Sequence, residues 1–271
     1  MDADQRLKLV RRKIERADEH IANLKNVIKW FLDSKPYKIG TRRNPETRQL
    51  VYYLTSVAGT PHSFAAITGD ILMNLRSALD HLAQSLYLVG TGGQDGFRDK
   101  TAFLISPSAK DFESGLPRKV EGMRQEAIDA IRALQPYKGG NGEDLWTFHR
   151  LNNIDKHRMI VTVGASFRSL NLGPMMMKMV RDGLPADWPG KHDIPDLDLF
   201  LRPADTMFPL KQGDELFIDA ADAEPNEKTE FRFEIVIHEP GVLEGQPILE
   251  TLIGFRDRVS NIVDAFRPLL G

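Results

Sequence analysis

The sequence predicts an α+β protein in which a helical bundle is combined with an antiparallel sheet formed mostly by the second half of the chain. Apolar residues recur at alternating steps of three and four from Leu7 to Phe31 and again from Leu252 to Leu269, the spacing of amphipathic helices. Between these helices, segments typical of strands follow the helical segments instead of alternating with them. Because the last helix returns to the bundle, we expect one globular unit over residues 1–271.

The segments, taken in order, place the helical part at about 1–35, 62–158 and 247–271 and the β part at about 36–57 and 159–240. The turn signal "NP" before "QLVYYLTSV" predicts a hairpin, and the glycine cluster "GTGGQDG" ends the helix that contains "NLRSALDHLA". The later strand-like segments are "RMIVTVGASF", "PMMMKMV", "DELFIDA" and "EFRFEIVIHE". We expect the methionine run among them to be an apolar core strand or a flexible lining.

Composition excludes several classes of protein. Of 271 residues, 41% are hydrophobic and 27% are charged, which is typical of globular proteins and not of disordered ones. A net charge of -2 gives no global positive field to hold long nucleic acids, and the absence of cysteine excludes disulfides, thiolate metal sites and cysteine nucleophiles. The chain shows no signal peptide and no apolar run long enough to cross a membrane. We therefore expect a cytoplasmic protein without membrane contact.

The segment "NLRSALDHLA" places polar residues on a helix whose leucines form one apolar arc. Asn74, Ser77 and His81 form a stripe opposite that arc, and Arg76 and Asp80 flank the stripe as an i,i+4 pair of opposite charge. A solvated helix face with one surface ion pair is one interpretation. Short polar residues that form helix poorly favour the other, in which a second helix covers this polar side.

A second polar cluster lies in "LWTFHRLNNIDKHR". Asn152 and Asp155 fall on the same helix face as three apolar residues, the first of which is Leu145. These two polar residues therefore stand where the pattern predicts apolar ones. Asp155 also lies near a helix C-terminus, where the macrodipole disfavours a negative charge, so it needs a cation close by. The candidate cations are Arg76, Lys156 and Arg158.

His149, Asn153 and His157 repeat on the other side of this helix at i, i+4 and i+8. The two histidines are about 12 Å apart along the helix axis, too far to share one metal ion without an intervening ligand. HExxH and ExxH motifs are absent, so we expect no metal and no cofactor. The GxSxG elbow of a serine hydrolase is also absent. A metal site would have to combine Asp80 or His81 with Asp155 and one of these histidines.

The segments "NLRSALDHLA", "IRALQPY" and "LNNIDKHR" together resemble a family of uncharacterised bacterial proteins that carry an RSALDH helix, a QPY turn and an N-x-DKHR helix end. The resemblance spans Asn74 to Arg158, under a third of the chain. It implies bacterial family membership and brings no activity with it.

Arg76 to His81 also read RxxxxH, similar to the RxxxxH to RxxxxxxH motif of HEPN-type ribonucleases, small helical bundles that cleave RNA without metal. The resemblance implies that Arg76 stabilises the phosphorane charge, that His81 acts as general acid or base, and that Ser77 fills the polar position after the arginine. Asp80 completes the candidate catalytic set. That family prefers asparagine, aspartate or histidine at the position of Ser77, and a minimal HEPN domain lacks the sheet-rich half.

Three functions are consistent with these patterns. The first is HEPN-like cleavage or binding of RNA by Arg76 and His81, with RNA as partner. The second is a non-enzymatic binding or interaction protein in which the two polar helices form a buried network. The third is a metal-dependent helical-bundle enzyme that uses Asp80, His81, Asp155 and His157. The amphipathic terminal helices are also suited to forming a homodimer. Binding candidates are Asn74, His149, Asn152, Asn153, Asp155, His157 and Arg158.

Overall fold

A computed structural model of the chain describes residues 3–93, 100–158, 161–195, 197–203, 207–226 and 229–271. The α-helices are α1 Ala3–Asp33, α2 His62–Gly90, α3 Ala109–Val120, α4 Gln125–Ala133, α5 Glu143–Arg158, α6 Gly173–Gly183 and α7 Ile248–Phe266. The strands are β1 Tyr37–Arg43, β2 Leu50–Val57, β3 Val163–Asn171, β4 Phe200–Leu201, β5 Glu215–Asp219, β6 Glu230–Glu239 and β7 Leu243–Pro247. The predicted α+β class is confirmed, with the strands mostly in the second half.

The chain divides into two compact units. The first comprises Met1–Ile28, Pro61–Thr162 and Ile237–Gly271, and the second comprises Lys29–Thr60 and Val163–Val236. The single globular unit expected from the sequence stays a prediction. None of the described helices combines the length and the apolar content that a bilayer-spanning segment needs.

The first unit is a helical bundle built around α2. Helix α2 packs on both α5 and α7, and the rings of Phe148 in α5 and Phe255 in α7 lie 5.7 Å apart. The terminal helices also meet, since Arg256 of α7 lies 3.1 Å from Asp18 of α1. Helix α1 buries every residue of the predicted repeat except Phe31, which is half-buried; the buried residues are Leu7, Val10, Ile14, Ala17, Ile21, Leu24 and Ile28. The predicted packing of the two terminal helices is therefore confirmed.

The second unit contains a three-stranded sheet, ordered β1-β2-β5, and most of a four-stranded sheet, ordered β4-β3-β6-β7. The pairs β1/β2, β2/β5 and β3/β4 are antiparallel. Aromatic rings join the two sheets: Tyr37 lies 4.6 Å from Phe233, and Tyr52 lies 5.5 Å from Phe231. An aromatic core therefore fixes the faces of β3 and β6 that point inward.

The methionine run departs from its prediction. The segment forms helix α6 with a proline in its first turn, and Gly173 is its buried residue. Met176 is 46% exposed and Met179 is 71% exposed, so the run is not a core strand. The physical reason is that methionine favours helix and proline is well suited to a first helical turn. The run also lacks the regular apolar and polar alternation that identifies a strand.

Candidate functional site

Helices α2 and α5 of the first unit pack against each other. Gly69 of α2 lies so close to Asp155 of α5 that a Cβ atom on Gly69 would stand 2.5 Å from both carboxylate oxygens. Arg76 lies seven residues after Gly69 on α2, and His149 lies six residues before Asp155 on α5. The charge of Arg76 is near enough to lower the pKa of His149. Between these two positions the residue numbers rise along α2 and fall along α5, so the helices are antiparallel. The face of α2 that meets α5 thus carries Gly69 and Arg76, so a second helix over the stripe of Asn74, Ser77 and His81 stays a prediction.

Arg76 is buried, with 8% of its surface exposed, and it binds three acceptor positions. Its Nε donates to Asp80 Oδ2 at 3.1 Å, and its Nη2 donates to Asp80 Oδ1 and to the Phe103 carbonyl, both at 2.7 Å. The Phe103 N–H in turn donates to Asp80 Oδ1 at 3.0 Å. The surface ion pair considered from the sequence is thus a part-buried, bidentate pair that fastens the backbone at Phe103 to α2.

The remaining guanidinium nitrogen, Arg76 Nη1, is buried and has no hydrogen-bond partner among the described residues. Asn152 is 1% exposed, and its Nδ2 is likewise buried without a partner in the described part of the chain. His149 Nε2 accepts a hydrogen bond from Asn153 Nδ2 at 3.0 Å, so the neutral ring carries its proton on Nδ1. That Nδ1 atom is also buried and unpartnered within the described ranges.

These three nitrogens, Arg76 Nη1, His149 Nδ1 and Asn152 Nδ2, are called the donor cluster below. His149 and Asn152 are neighbours at i,i+3 on α5, and the charge of Arg76 acts on the His149 ring across the helix interface. Each of the three atoms can donate a hydrogen bond, and the described residues supply no acceptor for any of them. Donors of this kind are matched by a group rich in acceptors, such as a carboxylate or phosphate.

The pKa of His149 is lowered to about 4, first by burial and then by the positive charges of Arg76, Lys156 and Arg150, in that order of importance. The ring is therefore neutral near pH 7, where its Nδ1–H is a fixed donor. A histidine in this state is a poor general acid at neutral pH because it has no extra proton to give.

Asp155 lies at the other end of the α2/α5 contact, against Gly69. Burial and the negative charge of Asp70 raise its pKa, while the charge of Lys156 acts in the opposite direction. Arg76, one of the three cations proposed for Asp155 from the sequence, binds Asp80 instead, and the described residues give Asp155 no ion pair. Gly69 was missed from the sequence, although a glycine inside a helical pattern is a signal of close backbone approach.

The other predicted residues of α2 do not join the donor cluster. Asn74 Nδ2 donates to the carbonyl of Asp70 in its own helix at 2.8 Å. Ser77 and His81 are half-buried, and the described residues provide no hydrogen-bond partner for either side chain. His81 is five residues from Arg76, which rotates it by about 140° around the helix axis. The side chains of His157 and Arg158 lie outside the described residues.

Within the described ranges, no group of three or more His, Cys, Asp or Glu side chains is placed to hold a metal ion. No known protein family, curated protein or solved structure matches the chain. The resemblances to the RSALDH family and to HEPN ribonucleases therefore stay predictions. The function of the candidate site residues is inferred from their geometry alone.

The depressed pKa of His149 makes a testable prediction about pH. Its value falls from about 6.5 in the unfolded chain to about 4 in the folded one, so its contribution to stability is complete above pH 6.5 and is lost as the pH falls toward 4. That contribution is about 3 kcal/mol. We expect the His149→Gln variant to lack this part of the acid dependence in urea unfolding at a series of pH values. NMR titration should place the ring midpoint of the native protein near 4, and a midpoint near 6.5 would contradict the burial described here.

Proposed function

We propose that the protein binds a small oxyanion-bearing ligand, a carboxylate or phosphate, at the donor cluster between α2 and α5, without catalysing a reaction there. The observation that carries this proposal is that three buried donors have no acceptor among the described residues. A buried donor without a partner costs about 1–3 kcal/mol. Three at one helix interface amount to a large part of the 5–15 kcal/mol by which a typical protein is stable. An occupant that accepts from all three donors accounts for their presence.

The number of donors favours an oxyanion over a single water molecule. A water oxygen has two lone pairs, so one water cannot accept from all three nitrogens, and its own protons would face donors. A carboxylate offers about four acceptor positions on two oxygens. Its hydrogen bond from the Arg76 guanidinium would also be charge-assisted, and such bonds are about twice as strong as neutral ones.

Charge along the interface favours one orientation of such a ligand. Asp70 and Asp155 lie at the Gly69 end, about 10 Å along α2 from Arg76. Two carboxyl groups repel an anion there, whereas the guanidinium of Arg76 attracts one. The anionic end of the ligand is therefore expected at the donor cluster, and a hydroxyl or amine end toward Asp155.

RNA cleavage through Arg76 and His81 stays a prediction, as do RNA as partner and a homodimer. The geometry gives cleavage less support than binding, because Arg76 already donates three hydrogen bonds within the fold. The metal-dependent enzyme also has less support, since Asp80 is occupied by Arg76 and by the Phe103 N–H.

Replacing Asn152 separates a ligand role from a structural one. Asn152→Leu keeps a similar size and removes an unsatisfied donor, so we expect the free energy of unfolding without ligand to rise by about 1–2 kcal/mol. The same change should abolish the acetate- and phosphate-induced shifts of the His149 ring nitrogens that we expect in NMR spectra of the native protein. Asn153→Leu is the matched control: its amide already bonds His149, so its loss should destabilise the protein. If Asn152→Leu destabilises the protein and leaves those shifts unchanged, the proposal fails.

A ribonuclease assay tests the RNA-cleaving alternative. We expect the native protein to cut single-stranded RNA in the presence of EDTA no faster than an Arg76→Ala/His81→Ala double variant purified in parallel. The double variant measures contaminating nuclease. Cleavage by the native protein that disappears in a normally folded His81→Ala variant would establish the HEPN-like mechanism and overturn our choice of a binding function.

A further inference from the structure

Two adjoining depressions in the second unit share Arg168 of β3 and Arg232 of β6. The first, called the aromatic depression, has a volume of about 330 Å³ and is lined by those arginines and by apolar residues that include Leu32, Tyr37, Phe231 and Phe233. The second, called the arginine depression, has a volume of about 280 Å³ and is lined by Arg168, Ser169, Phe200, Arg202 and Arg232. The two depressions therefore adjoin at these arginines, and each is close to the size of a small-ligand pocket.

The arginine depression concentrates positive charge. The Arg232 guanidinium lies 3.6 Å from the centre of the Phe200 ring, which holds its plane against an aromatic surface, and its Nε donates to Glu230 Oε1 at 2.9 Å. The Arg168 Nε lies 3.7 Å from the Glu234 carboxylate. Arg202 has no ion pair among the described residues. Arg168, Arg202 and Arg232 thus bring three guanidiniums to one depression, in a protein whose net charge is -2.

The aromatic depression carries an unused hydrogen-bond donor. Tyr37 is 7% exposed, and its hydroxyl is buried without a partner among the described residues. Burial raises the pKa of Tyr37, so the hydroxyl remains protonated and able to donate. A buried hydroxyl without an acceptor costs stability unless a ligand accepts from it.

We propose that these depressions form one binding cleft for an aromatic phosphate monoester, with the aromatic body against Phe231 and Phe233 and the phosphate among the three arginines. A phosphate monoester carries nearly two negative charges and three strong acceptor oxygens. That number matches three guanidinium groups, whereas a carboxylate would be satisfied by a single bidentate arginine. Planar rings prefer the offset or edge contacts that the phenylalanine rings offer.

Phenyl phosphate is the probe, titrated into the full chain by calorimetry, with inorganic phosphate and benzoate as comparison ligands. We expect phenyl phosphate to bind at least tenfold more tightly than either, because only it satisfies both depressions. Arg202→Gln should weaken its binding at least tenfold, while Arg132→Gln, which changes an exposed arginine of α4 outside the cleft, should have no effect. Tyr37→Phe, which keeps the ring, should weaken binding several-fold.

This cleft is independent of the donor cluster, and the variants distinguish the two. Asn152→Leu should leave the affinity for phenyl phosphate unchanged. The proposal is overturned if phenyl phosphate does not bind, if it binds no more tightly than inorganic phosphate, or if Arg202→Gln has no more effect than Arg132→Gln.

Discussion

The polar interface of the helical unit depends on how the guanidinium of Arg76 is held inside it. A buried cation is tolerated only when its charge is paired and its N–H groups are bonded. Asp80, one helical turn along α2, meets two of the nitrogens, and the Phe103 carbonyl takes a further bond from one of these. Because Asp80 also accepts from the Phe103 N–H, the pair fixes the segment at Phe103 on α2. The remaining nitrogen, Nη1, is buried without a partner among the described residues and is the member of the donor cluster that belongs to α2.

The properties of α5 follow from this fixed charge and from close packing. The positive charge of Arg76 acts with burial to keep His149 neutral, and the hydrogen bond from Asn153 directs the remaining ring proton to Nδ1. At the other end of the contact, the missing side chain of Gly69 makes room for the Asp155 carboxyl. The interface is therefore cationic and donating at one end and acidic at the other. A solvated helix face would show neither the buried donors nor the depressed pKa of His149.

Local periodicity was enough to predict α1, α7 and the concentration of strands in the second half, because α1 and α7 each bury one regular face, but it assigned the segment of α6 to a strand. It also identified Asn152 as a polar residue on an apolar face, and the structure buries it. The sequence could not show which polar residues of α2 turn inward. Helix α2 is covered by α5, by α7 and by the segment at Phe103, so a helical wheel with one apolar arc favoured Asn74, Ser77 and His81 over Arg76. Phe103 binds Arg76 and Asp80 through its backbone carbonyl and N–H. A pattern of side chains in the sequence does not reveal such backbone contacts.

The central claim is that the donor cluster is completed by an acceptor from outside the chain. The most direct measurement is an atomic-resolution crystal structure of the protein grown in the presence of acetate. Our account predicts a carboxylate whose oxygens lie at about 2.7–3.2 Å from Arg76 Nη1, His149 Nδ1 and Asn152 Nδ2. The account would be contradicted if the three nitrogens were each bonded to acceptors of the protein itself, with no space left for a ligand between α2 and α5.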